Sequence, residues 1–290
     1  MASAERKQFA LITGCTPGGI GHYLALEFAA RGFHVLATVR DPSKHTSPHA
    51  RITYLPLELS SDASIAALLA RVSALTDGKL AILYNNAGRN YTVPALDMDF
   101  SEVSPLFAAN VFAVMKLCQA FAPLLIAARG TIVQTGSLAG IMPYVWAPAY
   151  SASKAALHAY SDTLRVELAP LGVRVVTVVT GGVKSNIARA HRELPAGSYY
   201  LPLKAEYERR LTHSQQLGMD TRAYARSCVG QVLRGDGWFT KQRWIWEGSL
   251  SWVTWFVWAW LPRAAFDWWF SWNFKLGRLR GTVGPDKKNV

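Results

Sequence analysis

The chain has 290 residues, half of them apolar, with 31 Lys and Arg against 19 Asp and Glu. That length can bury a sizeable core, and 17% charged with 12% aromatic residues excludes a disordered or solvating chain. The surplus of +12 is uneven: residues 1–180 carry 14 basic and 11 acidic side chains, and residues 181–290 carry 17 and 8. Ten of the eleven tryptophans fall between Trp238 and Trp272; only Trp146 lies outside. Cys15, Cys118 and Cys228 are too few and too scattered for a disulfide framework or a zinc site, so no metal is expected. Glu5, Arg6 and Lys7 precede only a short apolar run, which is no secretory signal, and a cytosol-facing compartment is the expectation.

In chain order, short β-branched runs predict strands at Phe9–Thr13, His34–Val39, Ile52–Pro56, Leu80–Asn85, Gly130–Gly136 and Val173–Val179. Between them Ile20–Arg31, Ser64–Ala74, Ser101–Ala127 and Ala149–Leu171 are long enough for helices. Apolar strands interleaved with helices predict an α/β fold whose parallel sheet is covered on both faces. Residues 182–235 are more polar and read as a cover over the carboxyl edge of that sheet. Composition then changes abruptly, which predicts a boundary near residue 240 between a catalytic domain, 1–240, and a helical, Trp-rich extension, 241–290.

The first strand runs into Thr13-Gly14-Cys15-Thr16-Pro17-Gly18-Gly19-Ile20-Gly21 and then a helix. Glycines there let the backbone turn tightly and approach a pyrophosphate, which sits on the helix N-terminus. A tight turn with no ligand is the plain alternative, and the strand–helix context favours a dinucleotide. At the end of the second strand, Val39 stands where an NAD site carries a carboxylate for the ribose 2′-hydroxyl, and Arg40 follows. That pair suits a 2′-phosphate and hence NADPH, although Arg40 also reads as a solvated strand-end charge. Glu58, after the third strand, is either a partner for the adenine amino group or a solvated loop acid.

Tyr150 and Lys154 open a helix at i and i+4 and share one face. An ammonium beside a phenol favours the phenolate, which would make Tyr150 an acid/base at neutral pH. Ser137 closes a strand at the carboxyl edge, where its hydroxyl could orient a substrate carbonyl.

With these residues in place, the chain resembles the short-chain dehydrogenase/reductase family. The resemblance is carried by Thr13-Gly14 with Gly19-Ile20-Gly21, by Asn85-Asn86-Ala87-Gly88, by Asn110, by Ser137, by Tyr150 with Lys154, and by Gly181-Gly182-Val183. It covers residues 9 to about 190 and implies a Rossmann-type doubly wound sheet and a nicotinamide cofactor. It implies Tyr150 as proton donor, Lys154 as its pKa modulator and ribose ligand, and Ser137 as carbonyl anchor. Asn110 would hold a water linking Lys154 to solvent. Asn86, Ala87 and Gly88 would line the adenine side, and Gly14, Thr16, Gly19, Ile20, Gly21, Gly182 and Val183 would complete the cofactor site. A homodimer through the helices around Ser101–Ala127 and Ala149–Leu171 is a further implication. Two departures stand out: the Gly-rich loop is one residue longer than usual, and Thr180 replaces the usual Pro before Gly181. Both are similar to the fungal branch of NADPH-dependent 1-acyldihydroxyacetone-phosphate reductases, whose members also carry an aromatic C-terminal extension.

On the substrate side, Met142, Tyr144, Val145 and Trp146 read as an apolar pocket wall or as packing. Lys184, Arg189, Arg192, Lys204, Arg209 and Arg210 outnumber Glu193, Glu206 and Glu208 in the cover, which suits an anionic substrate or a solvated helix face. Gly248–Leu261 holds no charge, and Phe266, Trp269, Phe270 and Phe274 follow at helical spacing, trailed by Lys275, Arg278, Arg280, Lys287 and Lys288. Such a tail is too short to cross a bilayer and predicts monotopic attachment to endoplasmic reticulum or lipid droplets. A lid or dimer element packed on the sheet is the alternative. No recognised nucleic-acid motif accompanies the positive charge, and nucleic acid is not expected. The expected activity is NADPH-dependent reduction of a hydrophobic ketone, with acyl-dihydroxyacetone phosphate first and a natural-product, steroid or retinoid ketone second. The reading of another class is a membrane-associated nucleotide-binding or assembly protein without redox work.

Overall fold

In the computed structural model, residues 7–185, 192–235 and 243–281 are described, with only the backbone at 212–216. Six of the seven strands among the described residues are those the apolar runs predict, with ends shifted by at most two residues: β1 (Phe9–Ile12), β2 (His34–Val39), β3 (Ile52–Pro56), β4 (Ile82–Asn85), β5 (Thr131–Thr135) and β6 (Arg174–Thr180). They form one parallel sheet in the order β3-β2-β1-β4-β5-β6-β7, where β7 is Trp244–Glu247. Alternate residues serve opposite faces. Ala10, Ile12, Val35, Ala37 and Val133 pack with Leu24 and Phe28 of α1 (Ile20–Ala30) and Tyr224 and Val229 of α7 (Thr221–Arg234). Leu11, Leu36, Ile132 and Val175 pack with Leu68 and Val72 of α2 (Asp62–Thr76), Leu117 and Phe121 of α4 (Ala113–Ala128) and Leu157 of α5 (Pro148–Leu168). Burial on both faces is why these strands read as unbroken apolar runs. This is the Rossmann-type doubly wound architecture, and chain order reverses between β1 and β4, the point where such sheets bind ligands.

The stretch 101–127 is not one regular helix. It divides into α3 (Phe100–Phe107), a π-helical turn over Ala108–Phe112, and α4. The wide turn carries Asn110, and π-turns of this kind recur at functional sites. By length and hydropathy Phe100–Ala128 could span a bilayer, but in this fold its Leu117, Cys118, Phe121, Leu124 and Leu125 are core.

The compositional break near residue 240 does not coincide with the end of the sheet. β7 lies beyond it and pairs in parallel with β6, placing Ile245 in the core. A Trp-Ile-Trp-Glu strand is hidden in a composition dominated by tryptophan, so the sheet edge was not legible there. After β7, Ser249 and Gly182 bond each other's backbones at 3.0 Å in both directions, tying the tail to the loop after β6. Two ten-residue helices follow, α8 (Ser251–Trp260) and α9 (Ala264–Asn273). Phe266, Phe270 and Phe274 pack against Tyr207 of α6 (Lys204–Gln216). Trp252, Trp255, Phe256, Trp258, Trp260, Trp268, Trp269 and Trp272 remain exposed.

Candidate active site

The carboxyl ends of β1 and β4 are locked together before any ligand is considered. Thr13 Oγ1 accepts the N–H groups of Asn86 and Ala87 at 2.9 and 3.0 Å, and Asn86 Nδ2 donates to the carbonyls of Thr13 and Gly14 at 2.9 and 3.2 Å. The extra residue of the Gly-rich loop is absorbed at Gly18, whose φ of +77° few side chains tolerate. Gly14 has φ +73°, and a Cβ there would lie 2.9 Å from Ala87, so any other residue would push the two loops apart. α1 starts at Ile20 with Gly19 as its cap and no side-chain acceptor, leaving first-turn N–H groups for an anion. A dinucleotide pyrophosphate therefore fits this cradle.

A cleft of about 1240 Å³ runs from that cradle to the tail helices. It is lined by Gly14, Thr16, Gly19, Ile20, Arg40, Glu58, Asn86, Ala87, Gly88, Ser137, Tyr150, Lys154, Gly182 and Val183, so these anticipated residues meet in one space. Gly21 and Asn110 stand behind its wall. Glu58 Oε1 accepts from the N–H and Oγ of Ser60, and those bonds hold the carboxyl below its usual range, with Arg40 adding to the effect.

At the inner end, α5 lies against the carboxyl end of β5. Lys154 is buried, and its Nζ donates to the Thr135 carbonyl at 2.7 Å; burial lowers its pKa to about 8. The Tyr150 hydroxyl lies beside Ser137, yet desolvation dominates and pushes the phenol up to about 12, with Ser137 and the Arg210 charge opposing it. This corrects the expectation of a phenolate favoured by Lys154. The ammonium sits 5.9 Å from the Tyr150 ring centroid and is committed to a backbone carbonyl. The phenol keeps its proton at neutral pH, the state a proton donor requires.

Asn110 is bonded to protein through both of its side-chain polar atoms. Its Oδ1 accepts Arg89 N–H at 2.8 Å, and its Nδ2 donates to the Arg89 carbonyl and to Ser153 Oγ, at 3.0 and 3.1 Å. It joins the loop after β4 to α5.

Met142 and Tyr144 line the cleft, but Trp146 does not. Its ring is buried at 5.7 and 5.0 Å from those of Tyr207 and Phe274, and α6 and the tail that supply those rings could not be placed from sequence. Arg189 lies outside the described residues. Among the described basic residues of the cover, Arg210 alone lines the cleft; Arg192 bonds Glu102 and stacks on Tyr91, Lys204 pairs with Glu208, and Arg209 donates to the Asn273 carbonyl.

His158 was missed. It lies one turn beyond Lys154 on the same face of α5, a spacing that could have revealed it. Its Nε2 accepts the Ser137 N–H at 3.1 Å, which fixes the neutral Nδ1–H tautomer. Its ring fills the space that side chains at Gly136 and Gly140 would need.

The chain belongs to the short-chain dehydrogenase family: the short chain dehydrogenase family model matches residues 8–195. It is 42% identical over 277 residues to the short-chain dehydrogenase fogD of Aspergillus ruber, covering 94% of this chain and 95% of that one. It is 41% identical over 280 residues to the short-chain dehydrogenase virD of Hypocrea virens, covering 94% and 95%. Among solved structures, a short-chain dehydrogenase from Streptomyces avermitilis superposes with a TM-score of 0.72 at 25% identity, over 97% of this chain and 100% of that one. The NADPH-bound carbonyl reductase from chicken fatty liver gives 0.59 at 28% identity, over 65% and 84%. The chain is therefore an oxidoreductase of this family.

Burial, with the Lys154 charge second, lowers the His158 imidazole from 6.5 to about 4. The unfolded chain takes up that proton first as pH falls. Stability from the neutral ring is thus complete above about pH 6.5 and lost progressively down to about pH 4, on the order of 3 kcal/mol in all. Urea midpoints should therefore fall between pH 7 and pH 4.5 in the wild-type protein. His158→Gln, which keeps an acceptor and does not titrate, should flatten that slope.

Proposed function

We propose that the protein reduces a ketone on a hydrophobic substrate, using NADPH. The observation that carries this is that Tyr150, Ser137 and Lys154 meet at the inner end of the cleft that begins at the Gly-rich cradle and whose far walls are apolar. A nicotinamide dinucleotide in this cleft would supply the hydride. Gly14, Gly19 and the start of α1 would hold its pyrophosphate, and Arg40 a 2′-phosphate. Ser137 would hold the carbonyl oxygen, and Tyr150 would pass its proton to that oxygen as negative charge develops. Lys154 would place positive charge beneath the site, and His158 would keep the Ser137 backbone in register. The NADPH in the related carbonyl reductase supports the cofactor, as does the Val39-Arg40 pair.

Met142, Val253, Val257, Phe266, Phe270 and Phe274 favour an alkyl or aromatic substrate body. Acyl-dihydroxyacetone phosphate and polycyclic natural-product ketones both belong in a test panel. Tyr150→Phe should lower kcat by about 10²-fold or more while leaving NADPH binding nearly intact, measured as NADPH oxidation and fluorescence titration; unchanged turnover would refute the assignment. Arg40→Ala should raise the Kd of NADPH about tenfold or more and leave that of NADH within about twofold. Equal changes would remove Arg40 from a 2′-phosphate role.

The exposed aromatic face supports a second part of the reading, attachment to a lipid surface. α8 and α9 are each about 15 Å long, half of what crosses a bilayer. Their exposed tryptophans suit the headgroup level, and Arg263, Lys275, Arg278 and Arg280 suit anionic lipid. Trp268 and Trp269 also line the cleft, so an apolar substrate could enter directly from lipid. The full-length protein should sediment with phosphatidylcholine–phosphatidylserine vesicles. Replacing Trp252, Trp260 and Trp272 together by Ser should weaken this about tenfold or more. Retention in the supernatant, or a dimer that the triple substitution dissociates, would contradict it.

A further inference from the structure

Arg210, on α6, is 5% exposed and lines the cleft. Its guanidinium carbon lies 3.7 Å from the centroid of the Tyr144 ring, and its charge is felt at Tyr150. Its Nε is sealed from solvent with no acceptor, and among the described residues no carboxylate pairs with it. The acids nearest in sequence are taken: Glu206 by Lys275 and Arg278 at 2.8 and 3.6 Å, and Glu208 by Lys204 at 3.8 Å. Asp97 and Glu102, which face the same cover, bond Ser198 and the Arg89–Arg192 pair. A buried guanidinium without a counter-ion is destabilising, and proteins keep such a group when something outside the chain completes it. Stacking on Tyr144 fixes the plane of the fork and leaves its edge free for a planar or tetrahedral oxyanion.

We propose that Arg210 binds an acidic oxygen carried by the substrate, a carboxylate, phosphate or ionised enol or phenol at a distance from the ketone. The preferred substrates are then amphipathic keto acids, with the apolar body against the tail helices and the anion on Arg210. This rests on the reductase reading for the ketone, and the anion site itself does not depend on turnover.

The test uses the full chain, Arg210→Met, and three probes: dodecanoate, methyl dodecanoate and dodecanol. Dodecanoate should raise the Tm of the wild-type protein at concentrations about tenfold lower than the ester or the alcohol require, and R210M should erase that difference. Unliganded R210M should melt no lower than wild type, because an uncompensated charge has been removed. In NADPH oxidation with oxodecanoic acids and their methyl esters, the acid-to-ester ratio of kcat/KM should be about tenfold or more and fall towards one in R210M.

Equal shifts by dodecanoate and dodecanol in the wild-type protein would overturn the proposal, and that comparison needs no variant. So would weaker NADPH binding by R210M with the dodecanoate effect intact, which would give Arg210 to the cofactor. If dodecanoate binding depends on Arg210 and no ketone is reduced, the anion site stands and the reductase reading falls. If esters are reduced as well as acids, the reductase reading stands and this proposal falls.

Discussion

The site depends on a short polar clamp between α5 and the carboxyl end of β5. Lys154 gives its ammonium to the Thr135 carbonyl, and His158 takes the Ser137 N–H two residues further on. Lys154 and His158 are both buried, and a buried donor or acceptor left alone costs about 1–3 kcal/mol, so sliding or rotating the helix would cost both bonds. Tyr150, Lys154 and His158 stand at successive turns of that helix. Locking the last two therefore places the Tyr150 hydroxyl against Ser137. Asn110 extends the clamp through Ser153 and Arg89 to the loop after β4, and Thr13 and Asn86 carry it to β1. The Gly-rich loop and Tyr150 are thus parts of one rigid edge.

The Trp-rich tail is continuous with this edge. β7 completes the sheet, and the Gly182–Ser249 bridge fixes the loop after β6 along the cleft. A Cβ at Gly181 would lie 2.2 Å from the Ser249 carbonyl, so the two segments touch backbone to backbone. The tail then splits its aromatics between two tasks. Phe266, Phe270 and Phe274 face inward and pack as a small second core, and the tryptophans of α8 and α9 stay exposed, Trp268 and Trp269 at the mouth of the cleft. An aromatic face of this extent is uncommon on a free soluble chain.

What the sequence made legible follows the periodicities. Apolar runs such as Val175, Val176 and Val178, flanked by turns, declared the strands, and the i, i+4 pair of Tyr150 and Lys154 declared the site. Composition was the weaker guide. It placed a boundary before Trp244, although a strand needs only Ile245 pointing inward to join the core. Trp146 and its neighbours in sequence read equally as pocket wall or as packing, and partners more than fifty residues away draw the Trp146 ring inside. The π-turn that sets Asn110 has no local sequence signal, because its cost is met by bonds to Arg89 and Ser153. A nearby ammonium predicts an acidified phenol, but burial dominates at Tyr150.

The central claim is that this clamped edge performs hydride chemistry on a carbonyl, with the proton coming from Tyr150. Its most direct test is turnover of a keto substrate with NADPH deuterated at nicotinamide C4, followed by mass spectrometry of the product alcohol. The account predicts one deuterium on the carbinol carbon per NADPH consumed, from one of the two C4 epimers only, and labelled alcohol formed about 10²-fold or more slowly with Tyr150→Phe. Binding of NADPH and ketone with recovery of unlabelled ketone, or label transfer that survives Tyr150→Phe undiminished, would contradict it.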